Sequence, residues 1–346
     1  MPKHLVFAGG GPRCISFMAA LEVLNKHKYL ANVKHYWGNS AGALVATLMA
    51  FKIEPPKLRH IMDTLNFTRF RDIELTNIVS FGQNWGLDSG EALTKTLKEL
   101  LEDVKPGSSH YTMQEVPGLH ITASDLTDTK PVVLDSDTFP TLKLVDALRA
   151  STSIPFFYIP FRNPINNHML VDGAVACNFP WILLPSDKDR SEALGFDFKI
   201  VDYSKAPESL SEYVPKILNF RESCWGADRI KPTGPNIIKF NVRGFPAWHL
   251  ALKKEDRDEL FQIGHSTIET WLESDGKKWF STLRSERGTE QTIQMSAHPH
   301  IPAQGRPLDR KDGSSGIHGC SSPQQPRGYS RDSLLPRPPV SRRWSV

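Results

Sequence analysis

Along the chain, short apolar runs alternate with longer segments in which apolar residues return every three or four positions. Lys3 to Phe7 (KHLVF) is an apolar run of strand length. The segment ISFMAALEVLNKH after it places Ile15, Met18, Ala19, Leu21 and Leu24 on one broad helical face. Val33 to Trp37 forms a second strand-like run, and Gly42 to Lys52, rich in Ala and Leu, a second helix. The N-terminal portion therefore reads strand, glycine loop, helix, strand, tight turn, helix. That order predicts an α/β fold around a mostly parallel sheet, because each helix can serve as the crossover between parallel neighbours.

Farther along, Pro55-Pro56 is expected to end the second helix. A mixed segment follows with Phe67, Phe70, Phe81 and Trp85. It reads as ordinary core packing, with a lid or lipid-contact surface as the alternative. Trp225, Trp248 and Trp271 are read the same way. Asp88, with Glu91 three residues on, has the spacing of a capping box before a helix carrying Leu93, Leu97, Leu100 and Leu101. LHITASDL and PVVLDSD read as strands, and Leu144 to Ser151 as a short helix stopped before Ile154-Pro155. Met169 to Val171 is a strand running into Asp172-Gly173. Phe196 to Val201 and Asn236 to Val242 are later strands, and Leu210 to Ile230 and Glu255 to Leu283 are helices. The periodicity then stops and Pro, Ser, Gly and Arg dominate, which predicts a folded domain over 1–284 and a disordered tail over 285–346.

The apolar content of 39% supports a sizeable core. The net charge of +4 belongs to the tail, since Ala297 to Val346 holds eight Lys/Arg against three Asp/Glu. The nearly neutral body argues against nucleic-acid binding, which calls for a basic face. The tail's charges are scattered, as in a solvated extension. Cys14, Cys177, Cys224 and Cys320 form no CxxC pair and no zinc spacing, so free thiols in a reducing compartment are expected. Neither a secretory leader nor a bilayer-spanning run is evident. The expected location is intracellular, cytoplasmic or peripheral on membranes.

Three short motifs carry candidate chemistry. Gly38-Asn39-Ser40-Ala41-Gly42 lies between a strand and a helix, the context of a nucleophile elbow. Small residues two positions either side of Ser40 would admit the sharp turn, and the following helix N-terminus would favour negative charge at its hydroxyl. Gly9-Gly10-Gly11-Pro12-Arg13, also between strand and helix, can present backbone N–H groups to a phosphate or an oxyanion. A dinucleotide fingerprint fails because Cys14 occupies its last glycine position, and a P-loop fails because no Gly-Lys-Ser/Thr follows. Asp172-Gly173-Ala174 closes a strand and by itself is an ordinary Asp-Gly turn. A serine needs a base to take its proton. His249 and His265 follow Asp172 in the Ser–acid–His order of α/β-hydrolases, but a single strand–helix unit before Ser40 is too little for that fold.

Taken together, GGGPR, GNSAG, Ala150-Ser151-Thr152-Ser153-Ile154-Pro155 and DGA occur in the order found in patatin-like phospholipases, relatives of the cytosolic phospholipase A2 catalytic domain. The chain resembles that family over about residues 4–200. The resemblance implies a three-layer α/β/α fold and a Ser-Asp dyad without histidine. Ser40 would be the acylated nucleophile, Asp172 and its loop Gly173-Ala174 the base, and the Gly9 to Arg13 loop the oxyanion hole. It implies ester hydrolysis of phospholipids or other acyl lipids, with peripheral membrane contact and no metal or cofactor. Two positions depart from the family pattern: Cys14 stands where glycine is usual, and Ala8 where many members carry an acidic residue. These leave open a catalytically inactive lipid- or protein-binding module, and a histidine-dependent esterase stays as a third alternative.

Overall fold

The computed structural model describes residues 1–199, 206, 213, 216–217, 232–245, 250–283 and 285. The chain divides into Met1–Ala297 and His298–Val346. The second unit lies outside the described residues, as does the expected tail apart from Ser285. The helix expected over 210–230 is described at 213, 216 and 217, which are helical.

β1 (His4–Phe7) is buried along its length, as expected of a strand covered on both faces. A 3₁₀ turn (Gly11–Cys14) leads into α1 (Ile15–Lys26), which crosses over to β2 (His35–Asn39). After α2 (Ala41–Ala50) comes a long excursion: α3 (Pro55–Thr64), α4 (Leu75–Val79), α5 (Phe81–Asn84), β3 (Gly86–Asp88) and α6 (Glu91–Val104). The chain returns through β4 (Leu119–Asp125) and β5 (Lys130–Leu134), then α7 (Leu144–Ser151), β6 (Phe156–Tyr158), β7 (Phe161–Arg162) and β8 (Met169–Asp172). α8 (Ala174–Cys177), α9 (Asp187–Ser191), β9 (Ala193–Phe198), β10 (Ile237–Phe240) and α10 (Lys254–Glu273) complete it. Strand order is β10-β9-β1-β2-β4-β8-β7, with β5 also on β4. β10, β9, β1, β2 and β4 are mutually parallel, and β5, β8 and β7 add antiparallel pairings. With helices packed on it, this sheet is the centre of a three-layer α/β/α fold.

The core centres on Phe7, Phe17, Phe196 and Phe240, all fully buried. Phe17 reaches Phe240 at 5.1 Å and Phe7 reaches Phe196 at 4.8 Å between ring centroids. Each such side chain contributes ~1.5–3 kcal/mol on burial. α1 crosses α10 closely because Gly264 rests on the Ser16 carbonyl and Ala19, where a Cβ would not fit.

One detail of register positions the site. β2 runs parallel to β4 and ends with Asn39 opposite Thr122. β8 runs the other way along β4 and ends with Asp172 opposite Ala123. Since β5 occupies the other edge of β4, β2 and β8 share one edge and stop head to head.

Several local expectations are corrected. Pro55-Pro56 begins α3 rather than ending α2, using the pre-set φ of proline in a first turn. Asp88 closes β3 and forms no capping box; α6 starts after Gly90, whose φ of 76° makes the turn, and Asp88 Oδ1 accepts from the Gly90 N–H at 2.8 Å. The helix expected over 255–283 breaks at Ser274 and resumes over 275–283. Trp271 is core, packed on Trp279 and Phe280, while Trp225 and Trp248 lie outside the described residues.

Candidate active site

Ser40 stands between β2 and α2 with φ 51° and ψ −124°, a conformation that costs on the order of 1–3 kcal/mol for a non-glycine residue. The glycines on either side permit it by closeness of approach. A Cβ on Gly38 would run into the backbone of Gly42 and Ala43, and one on Gly42 would lie 2.6 Å from the Phe7 carbonyl oxygen. The elbow is therefore wedged against the end of β1. Ser40 is the N-cap of α2, yet its side chain makes no cap hydrogen bond; its backbone N–H donates to Ser151 Oγ at 2.8 Å.

Ser40 and Asp172 line the same cavity, and Ser40 is among the groups that favour the Asp172 carboxylate. Asp172 is 3% exposed. Burial pushes its carboxyl up to about 6, against the pull of hydrogen bonds from the Ala174 N–H, Ser40 and Asn39. The Ala174 N–H lies 2.8 Å and Asn39 Nδ2 3.3 Å from Oδ1. The Asp172 backbone is held by Ser153, whose carbonyl accepts its N–H at 2.8 Å, and by Ser124, whose hydroxyl donates to its carbonyl at 2.9 Å. Ser151 and Ser153 thus tie the Ala150–Pro155 segment to both halves of the pair, one serine to each.

The glycine loop lies against the same point. A Cβ on Gly9 would sit 3.2 Å from Ser40 Cβ and closer still to Asn178 and Asn39. The Gly9 N–H is already taken by the Asn178 carbonyl at 3.2 Å. Among the described residues no acceptor meets the N–H groups of Gly10 and Gly11. Pro12 has none to offer and is the second residue of the 3₁₀ turn. Arg13 braces the loop: its Nε donates to the Gly10 carbonyl at 3.0 Å and its guanidinium lies 4.6 Å from the Phe198 ring. Cys14 is fully buried with φ −59° and ψ −13°, a backbone open to any residue, so no glycine is needed there. Burial pushes its thiol up to about 12, which leaves it unreactive. Ala8, also fully buried, donates its N–H to the Phe196 carbonyl at 3.0 Å.

Ser40, Asp172 and the loop open onto a cavity of about 130 Å³. Its remaining wall is mostly apolar and aromatic, with Phe67, Phe70, Leu93, Leu97 and Phe157 among its members, beside the polar Thr152 and Asn178. Residues 67–85 thus divide: Phe67 is buried at the cavity, as core packing predicts, whereas Trp85 is exposed. Among the described residues no histidine lines the cavity. His265 stands on α10 beside Glu269 at 3.3 Å, half-exposed, and His249 lies outside the described residues.

Sequence reasoning missed Asn178, whose Oδ1 accepts from Asn39 Nδ2 at 3.2 Å and whose Nδ2 donates to the Gly9 carbonyl at 3.1 Å. It also missed Thr122, whose hydroxyl donates to the Gly38 carbonyl at 3.2 Å, and Ser124. These residues meet the motifs through tertiary contact. The one local hint is that Asn178 lies just beyond the Asp172-Gly173-Ala174 turn.

The family model described as Patatin-like phospholipase matches residues 5–184, and the chain belongs to that family. It is 26% identical over 184 residues to the probable lipid hydrolase 463L of Invertebrate iridescent virus 6, covering 51% of this chain and 61% of that relative. The match thus spans less than two thirds of the relative's length. The crystal structure of VipD from Legionella pneumophila shares the fold, with a TM-score of 0.53 at 14% identity over 79% of this chain and 67% of that one. The type III effector protein ExoU is a looser likeness, with a TM-score of 0.46 at 16% identity over 79% of this chain and 53% of the other.

Proposed function

We propose that this chain hydrolyses carboxylic esters of lipids, as a phospholipase A or lysophospholipase, through an acyl-enzyme on Ser40 with Asp172 as general base. The observation that carries this reading is one cavity lined by both Ser40, in its strained strand-to-helix turn, and the buried Asp172, whose carboxyl burial pushes up to about 6. An unperturbed Asp near 3.9 is a weak base at neutral pH. A carboxylate near 6 is still ionised at neutral pH and better matched to taking a hydroxyl proton.

In the reaction, Asp172 accepts the serine proton as Oγ attacks the ester carbonyl. The oxyanion that forms falls to the N–H groups of Gly10 and Gly11, with the α2 N-terminus favouring negative charge. Losing one such donor costs ~10²–10³ in rate. Asp172 returns the proton to the departing alcohol, and the C–O bond of the ester breaks. Water, deprotonated by Asp172, then attacks the acyl-enzyme; the fatty acid leaves and Oγ regains its proton. The apolar cavity receives the acyl chain. Gly38, Ala41 and Gly42 shape the elbow, Asn39 steadies the ionised base, and Gly173 with Ala174 fixes its loop.

The experiment is fluorophosphonate labelling of wild type, Ser40→Ala and Asp172→Asn, followed by fatty-acid release from mixed phospholipid vesicles. Labelling and release are expected in wild type and absent in both variants. A folded wild type that takes no label would replace this reading with an inactive binding module. Cys14, the departure that favoured such a module, fits the loop without distortion.

A further inference from the structure

Large exposed apolar side chains gather on one part of the surface. Leu75 is 81% and Val79 88% exposed; Trp85 and Phe156 are about half exposed, as are Ile73 and Ile78. From Leu75 to Leu87 there is no charged residue and no histidine.

Backbone pairing draws these residues together. Ile73 bridges to Asp88 at the end of β3. Trp85 immediately precedes Gly86, which pairs with Phe156 across the small β3–β6 sheet. Trp85 (φ 58°) and Phe156 (φ 67°) are both in the left-handed region, which bulky residues avoid. Two exposed aromatics are thus held in unfavourable backbone at one end of one small sheet. The same two segments supply cavity wall: Phe67 and Phe70 precede the patch in one, and Ile154, Phe157 and Tyr158 flank Phe156 in the other.

We infer that this patch is the surface on which the protein seats itself on a lipid bilayer, presenting the cavity rim to the membrane. The inference rests on the lipid-hydrolase reading, since a lipid ester must pass from the bilayer into the cavity whose wall continues into the patch. Contiguous exposed apolar surface marks an interaction site. Trp85 suits the headgroup level, where one edge of the indole is wet, and Leu75 and Val79 suit the acyl boundary. The patch is uncharged over 75–87, and Arg71, Asp72 and Glu74 at its edge add no net positive charge, so it binds chiefly by burying apolar area; the match is to a zwitterionic surface, and salt has little to screen.

The test uses the full chain carrying Ser40→Ala, so that vesicles stay intact, sedimented with phosphatidylcholine vesicles at low and high salt. Adding Leu75→Asp with Val79→Asp is expected to lower partitioning about tenfold or more, while the parent's binding survives high salt. Quenching of tryptophan emission by brominated phosphatidylcholine is expected to fall in Trp85→Phe. With Ser40 restored, turnover of a water-soluble short-chain ester by the Leu75→Asp/Val79→Asp variant should stay within about twofold of wild type. Unchanged partitioning of the double variant overturns the inference, as does binding that high salt removes. So does a parent that ignores vesicles while the wild type cleaves the soluble ester. Dimers broken by the same substitutions, without vesicle binding, assign the patch to a second copy and also overturn it. Patch-dependent binding without turnover of the soluble ester keeps the docking surface and discards the Ser40–Asp172 mechanism.

Discussion

Asp172 and Asp135 are both buried at the rim of the same sheet, and burial alone pushes both carboxyls up. Their surroundings then diverge. Asp135 Oδ2 faces His120 Nδ1 at 2.8 Å, and Oδ1 accepts from the Thr138 N–H at 2.9 Å and its hydroxyl at 2.8 Å. Together these overcome burial and bring Asp135 down to about 2. Among the described residues, the groups that favour the Asp172 carboxylate are neutral, Ala174, Ser40 and Asn39, and it settles near 6. The difference teaches that burial does not decide what a carboxylate does. Supplied with an imidazole it is held ionised; left with neutral donors it keeps the raised proton affinity that the proposed base needs.

The histidines extend this contrast. His120 Nε2 lies 3.2 Å from His35 Nδ1, His35 stacks on His4 at 4.7 Å, and His4 Nε2 meets Asp189 at 3.3 Å. Burial, with neighbouring His35, lowers His4 to about 4. The cluster sits at the starts of β1, β2 and β4, whereas Ser40 and the glycine loop follow the ends of β2 and β1. One end of the strands ties the chain down and the other holds the candidate chemistry.

The largest effect that tests the contrast is Asp172→Asn, expected to lower kcat/KM by ~10³–10⁴ with the fold intact by circular dichroism. In wild type, kcat/KM should rise with pH through about 6, because the base must be deprotonated. A flat profile between pH 5 and 8 would remove Asp172 as the base. Next is Gly42→Ala, whose methyl group would press on the Phe7 and Ala8 carbonyls. It is expected to cost ~3 kcal/mol or more in denaturant unfolding, since backbone cannot yield as a side chain can. Asn39→Ala removes a donor to the ionised Asp172. It should move the acid limb above its wild-type position and lower kcat/KM by roughly tenfold; an unmoved limb would show that Asn39 does not set the base.

The smallest effect is at the anchoring end. Asp135 is depressed in the fold, so its contribution is full above the ordinary carboxylate range and is lost as pH falls toward 2. His120→Ala is expected to cost on the order of 1–2 kcal/mol at pH 7, after allowance for solvent screening, and to leave the limb near pH 6 in place. His4 works in the acid direction too. Its folded value lies below the ordinary 6.5, so stability is lost as pH falls from about 6.5 to 4, the unfolded chain taking a proton that the fold refuses. Thermal melts across that window should show the loss, diminished in His4→Asn.

Much of this was legible in the sequence because it is local. The alternation of apolar runs with helical periodicity fixed β1, α1, β2 and α2 to within a few residues. Glycines at 38 and 42 announced a turn that tolerates no Cβ, and the family resemblance pointed to Asp172 as the partner of Ser40. Local signals also misled. The Asp88–Glu91 spacing resembled a cap, but α6 begins only after Gly90, and Asp88, closing β3 two residues earlier, takes the Gly90 N–H instead. Aromatic residues between 67 and 85 looked alike, yet Phe67 turns to the cavity and Trp85 to solvent. What the sequence by itself determined was the kind of element at each place and the residue types able to do chemistry. The tertiary structure alone decided that β2 and β8 stop head to head on β4, that Asn178 and Ser151 secure the elbow, and that Asp172 lacks the imidazole given to Asp135. Periodicity reports one element's neighbours along the chain, whereas proton affinity and strand register depend on groups brought in from distant segments.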